Sequence, residues 1–198
     1  GIISAIRQDT WLDYLTRSFS IFGISIPGFW LATLIIVFPA IWWHWAPPVR
    51  LIHFTVDPVG NLKQFLLPAA ILGFGMAGVT VRYLRTTLLE VMRQDYIRTA
   101  WSKGLQERIA VIRHALKNAF IPVITVLFGQ AWVMIGGVVI IEQIFTLPGM
   151  GRLFIDAVFR RDYPYITGIN TILSVIGMLF ILANDLSYAY LDPRIRYR

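Results

Sequence analysis

Charged side chains are missing from four long stretches of this chain, and that restricts its fold more than any other feature. After Arg17 the next charge is Arg50, and within that gap residues 19–43 form a run of 25. Residues 64–81 are uncharged for 18 positions, 118–141 for 24 and 163–184 for 22. About 20 apolar residues in a helix suffice to cross the hydrocarbon of a bilayer. The composition agrees, since 57% of the 198 residues are hydrophobic and only 15% charged, against roughly 25% charged in an ordinary soluble domain. So many apolar residues cannot be hidden in one core of this size. The expected fold is all-α, a polytopic membrane helical bundle. Its four spans fall at about 19–43, 64–85, 118–141 and 163–188 of a single transmembrane domain.

Local signals fit that division. Pro27 and Pro39 lie inside the first run, which membrane helices tolerate, and Trp42, Trp43 and Trp45 cluster at its end, as aromatic rings do at a membrane interface. Residues 46–63 read as a loop, with breakers at Pro47-Pro48, Asp57-Pro58 and Gly60-Asn61. Ala69, Gly73 and Ala77 form a small-xxx-small stripe on the second span; this is either a close-packing face or the ordinary abundance of small residues in membrane helices. The third run contains Gly129, Gly136, Gly137 and Gln130. After it, Leu147 to Leu153 read as a turn followed by a short amphipathic helix that ends at Arg160-Arg161-Asp162-Tyr163-Pro164.

The charges that remain give the orientation. With four spans, one side carries 13 Lys and Arg residues and the other five: Arg50, Lys63, Arg152, Arg160 and Arg161. The richer side, holding residues 1–17, the segment between spans two and three, and the tail with Arg194, Arg196 and Arg198, is expected to face the cytoplasm. The net charge of +7 therefore reads as topological rather than as a nucleic-acid footprint.

The segment at 94–122 is the longest polar, basic stretch. Tyr96, Ile97, Ala100 and Trp101 share one helical face, while Asp95, Arg98, Thr99, Ser102 and Lys103 share the other. Gly104 interrupts the run as a helix C-cap would. Leu105, Ile109, Ile112 and Leu116 then recur at helical spacing, opposite Gln106, Arg113 and Lys117. From the residues alone this is either a basic loop that only sets topology or a pair of short amphipathic helices hinged at Gly104 on the membrane surface.

At these residues the chain resembles a family. Arg98-Thr99-Ala100-Trp101-Ser102-Lys103-Gly104-Leu105 is similar to the EAA loop of binding-protein-dependent ABC importer permeases. It looks most like the peptide-importer branch, in which Asp-Tyr-Ile-Arg-Thr-Ala, here Asp95 to Ala100, precedes the Gly. Against the general motif, Arg98 stands where Glu is usual, and His114, Leu116 and Lys117 replace the Ile-x-Leu-Pro ending, with Pro122 coming later; Ala100, Gly104 and Leu116 match. The departures point to the branch. The Pro148-Gly149-x-Gly151-Arg152 turn, the Arg161-Asp162-Tyr163-Pro164 end and Asp192-Pro193-Arg194 are also similar to it.

The resemblance implies a type I ABC importer transmembrane fold, with this chain as the last four of six spans and so the C-terminal part of a longer protein. It implies a prokaryotic inner-membrane permease that moves di- or oligopeptides, or a related small solute such as a nickel complex, into the cytoplasm. The implied partners are a second permease subunit, two cytoplasmic ATPase subunits, an extracytoplasmic solute-binding protein and membrane lipid, but no nucleic acid. ATP and Mg would sit in the ATPase subunits and no cofactor in this chain. The coupling loop at 94–117 would dock on the ATPase through Tyr96, Ile97 and Trp101 as anchors and Arg98 and Lys103 at the rim. Thr99, Ala100 and Leu105 complete the docking segment, and Gly104 allows the turn.

Catalysis by the chain itself is disfavoured. There is no G-x-x-x-x-G-K-[ST] loop for ATP, no paired carboxylates and no nucleophile elbow, and His44, His53 and His114 are scattered without metal-ligand spacing. Asp185 lies about 33 Å along the fourth helix at 1.5 Å per residue. It is either an interfacial or paired acid or a residue of the transport path. Two other classes remain open. An ion-gradient-driven secondary transporter would need charged or unwound midspan sites, often in inverted repeats, and a membrane enzyme would need a catalytic constellation.

Overall fold

The computed structural model describes residues 1–135 and 138–191. Gly136, Gly137 and the Asp192-Pro193-Arg194 tail lie outside the described residues. Among those described the regular structure is entirely helical: α1 (Ile2–Ile6), α2 (Trp11–Ser25), α3 (Gly28–Trp43), α4 (Pro58–Met92), α5 (Asp95–Ser102), α6 (Glu107–Ile109), a π-helical turn (Ala110–Ala115), α7 (Leu116–Ile135), α8 (Val139–Ile144), α9 (Met150–Arg160) and α10 (Tyr163–Leu191).

Among the described residues three helices are long and apolar enough to cross a membrane: α4, the continuous helix Glu107–Ile135 made of α6, the π turn and α7, and α10. A fourth candidate is the pair α2 and α3 taken together. The run at 19–43, expected as one helix, is broken between Ser25 and Gly28. Pro27 is the cause, because it has no N–H to continue the first helix and its ring biases Ile26 away from helical backbone. It serves instead as the N-cap of α3, at φ −60° and ψ 130°.

Other boundaries also shift. The loop expected at 46–63 ends early, because the Asp57 carboxylate accepts the Gly60 N–H at 2.9 Å and caps α4, with Pro58 at the first helical position. These residues start a helix rather than break one. The buried Gln64 side chain on α4 then organises the preceding loop. It donates to the carbonyls of Pro48 and Arg50 at 3.1 and 3.0 Å and accepts the Ile52 N–H at 3.0 Å. The helix also runs past the expected end at 85 to Met92. The third run does not stay helical to 141, since α7 ends at Ile135 and α8 is a separate short helix.

The described residues group into two compact units. One comprises Gly1–Gly23, Ala77–Gln130 and the chain from Leu179. Its core is Ala5, Leu88, Ile97, Val111, Ala115 and Ala119. Three of the six are alanine, which lets backbones approach closely. Polar side chains join helices here too. The Thr87 hydroxyl donates to the Ala119 carbonyl at 3.0 Å, Thr80 donates to Gln130 at 3.2 Å, and Thr125 bonds Tyr188. The other unit comprises Ile24–Met76 and Ala131–Met178, with a core of Ala32, Ile71, Ile141, Phe145 and Leu147. Within this unit Gly73, in the middle of the small-residue stripe, has open space where a Cβ would point.

Candidate coupling segment

Helix α5 forms where the sequence predicts it, over Asp95 to Ser102. Gln94 enters in extended backbone and Asp95 supplies a negative charge in the first turn, on the favourable side of the helix dipole. The helix ends on a Schellman motif. Gly104 sits at φ +81°, its N–H bonds the Trp101 carbonyl at 2.9 Å, and the Leu105 N–H reaches back to Ala100 at 3.2 Å. The glycine is required by that backbone, since nothing lies within 4 Å of its would-be Cβ.

The two faces of α5 are not divided as their apolarity suggests. Ile97 is fully buried, the only buried residue of the helix, and packs into the core of its own unit. Tyr96 and Trp101 are 44% and 38% exposed. Of the three expected anchors, Ile97 therefore belongs to the chain itself and only Tyr96 and Trp101 are offered outward. Arg98, Thr99, Lys103 and Gly104 are exposed, and Ala100 and Leu105 half-buried. Asp95 and Arg98 approach to 3.7 Å, but both are so open to solvent that the pair adds little. The Tyr96 hydroxyl accepts from Asn118 Nδ2 at 2.8 Å.

The second amphipathic stretch differs more. Residues 107–117 are not a separate surface helix but the start of the helix Glu107–Ile135. The stripe of Ile109 and Ile112 is exposed, whereas Ala110, Val111, Ala115 and Ala119 are buried. Ala110, Ala115 and Ala119 allow tight helix contact beside the buried Val111, while Leu105 and Leu116 are half-buried. The change from α to π geometry at Ala110–Ala115 also breaks the 3.6-residue period on which the stripe was read.

Sequence reasoning missed two polar sites. The first is an ion pair. Asp13 on α2 is fully buried, and both its oxygens take bonds of 2.7 Å from Arg85 Nε and Nη2. Separation in sequence hides such a pair. The second is Glu142, whose carboxylate accepts the Arg152 N–H at 2.7 Å and so caps α9. A Cβ on Gly149 would meet that carboxylate, and one on Gly151 would meet Val139 Cγ2 at 2.6 Å. The spacing of the two glycines was the available signal. Asp185 is exposed on α10.

Long apolar helices joined by a short amphipathic helix with an aromatic and basic outer face define a multi-pass helical membrane protein. The chain belongs to the family of binding-protein-dependent transport system inner membrane components, whose family model matches residues 1–197, and it has the type I ABC importer transmembrane fold. It is 40% identical over 200 residues to the oligopeptide transport system permease protein AppB of Bacillus subtilis, covering 100% of this chain and 63% of that protein. It is 40% identical over 204 residues to the dipeptide transport system permease protein DppB of the same organism, covering 99% and 61%. The chain thus spans less than two thirds of the length of these curated relatives.

Proposed function

We propose that the chain belongs to a permease subunit that moves di- or oligopeptides into the cytoplasm, driven by ATP hydrolysis in separate ATPase subunits. The observation that carries this reading is α5. It is held to its own chain by Ile97 and closed by a glycine-dependent cap, and it presents Tyr96, Trp101, Arg98 and Lys103 outward. An apolar centre with a basic rim is what a helix docking in a groove requires. The names of the two relatives support the peptide class. The excess of Lys and Arg on the same side supports a cytoplasmic coupling segment and C-terminus.

In this mechanism two ATPase subunits, which hold ATP and Mg, close together and carry α5 with them. Ile97 passes that displacement to α4 and α7 through the shared core. The spans then exchange inward- and outward-open states, shifted only by as much as the bound ATP distinguishes them. A second permease subunit completes the pathway, and a solute-binding protein delivers the peptide to the other side. Asp185 is assigned an interfacial role.

The test is co-purification of the full-length protein from gently extracted membranes, wild type against Gly104→Asp. Wild type should retain an ATPase that the variant loses or leaves uncoupled. If no ATPase accompanies wild type and uptake persists in ATP-depleted, energised vesicles, the ion-gradient reading replaces this one.

A further inference from the structure

The Asp13 carboxylate is saturated with donors. Besides Arg85 Nε and Nη2 at 2.7 Å each, it takes the Ser4 hydroxyl and the Asp9 backbone N–H at 3.1 Å. Arg85 Nε also contacts Ser4 Oγ at 3.1 Å. One forked, planar contact therefore joins α1, the turn after it, α2 and α4. A buried ion pair of this kind offers little net stability over well-packed apolar residues, because its desolvation offsets its attraction. What it offers is fixed geometry, since a bidentate guanidinium tolerates neither sliding nor rotation.

The geometry it fixes is that of the seat under α5. Ser4 precedes Ala5, and Arg85 lies one helical turn before Leu88. Ala5 and Leu88 are two walls of the cluster closed by Ile97, with Ile2 and Ile6 of α1 packed against it. Remove the clasp and one wall of that seat is held only by apolar contact.

We propose that Asp13 and Arg85 are positioning residues for energy coupling, locking α1 and α2 to α4 so that α5 moves them as one body rather than rocking in its seat. The inference rests on the docking reading of α5. It predicts that breaking the pair separates ATP hydrolysis from transport without detaching the ATPase.

The chain contains no cysteine, so, with any cysteine elsewhere in the full-length protein replaced by serine, single spin labels can be placed at Ser102→Cys on α5 and, as a control, at Phe159→Cys on α9. Asp13→Asn and Arg85→Gln should add a mobile component at the Ser102 label and leave the Phe159 label unchanged. Arg85→Lys, which keeps the charge but not the fork, should give a smaller change. In vesicles reconstituted with co-expressed ATPase and binding protein, the first two variants should still hydrolyse ATP. Uptake of a radiolabelled di- and oligopeptide mixture per ATP should fall about tenfold, within the range of coupling between distant sites. An unchanged Ser102 spectrum overturns the proposal whether or not an ATPase is bound. Equal loosening at Phe159 overturns it as well, reducing the pair to general stability. If wild type binds no ATPase, the docking reading fails separately, and the labels alone decide whether the clasp positions α5.

Discussion

Asn118 Nδ2 donates to the Tyr96 hydroxyl at 2.8 Å while also reaching the His114 carbonyl at 3.2 Å. One side chain on the first turn of α7 thus holds both the outer aromatic of α5 and its own helix. Tyr96→Phe removes only an exposed hydrogen bond and should cost no more than about 1 kcal/mol. Asn118→Ala should cost a similar amount but broaden the motion of the ring. Thermal unfolding in detergent and the line widths of a fluorinated Tyr96 would check the two.

Ile97 and its neighbours should separate stability from docking. Ile97→Ala empties a fully buried position and should destabilise the protein by about 2–5 kcal/mol. Tyr96→Ala and Trp101→Ala should lower the melting temperature much less than Ile97→Ala and weaken ATPase retention. If Trp101→Ala destabilises as much as Ile97→Ala, the outward assignment of that face is wrong.

At Gly104 the cost is conformational, because a Cβ there meets nothing within 4 Å. Gly104→Ala should lose about 1–2 kcal/mol from forcing a left-handed backbone on an L-residue, and Gly104→Asn less. The loss should appear as faster amide exchange across α5, and first at the Leu105 N–H that closes the motif.

Glu142 and Gly149 should behave as a coupled pair. Gly149→Ala pushes the carboxylate away from the Arg152 N–H and should cost about 1–2 kcal/mol, the range of a lost helix cap. Glu142→Ala should cost a similar amount. The double variant should cost less than the sum, because the clash has no target once the carboxylate is gone. Strict additivity in that cycle would show that the two do not share one interaction.

The long helices α4, α7 and α10 and the end of α5 were legible because they depend on local composition. Uncharged runs placed α4, α7 and α10, and Gly104 announced its cap. The inward faces were not legible. The apolar stripe of 105–116 does not mark the inward face: Ile109 and Ile112 are exposed, while Ala110, Val111, Ala115 and Ala119 pack. Asp57-Pro58 was read as a break because the same residues that stop one helix start the next. Asp13 with Arg85, and Gln64 with the loop before it, depend on chain segments meeting in space, and no window along the sequence contains both partners.

Because Ile97 faces inward while Tyr96 and Trp101 face outward, neighbouring positions on one short helix answer to different selection. Inward substitutions are tested by every folding event in this chain, whatever partner is present. Outward ones are tested only when a partner arrives. On the docking reading proposed for α5, a chain built this way can change the partner it accepts by drifting at a few exposed positions, without passing through misfolded intermediates.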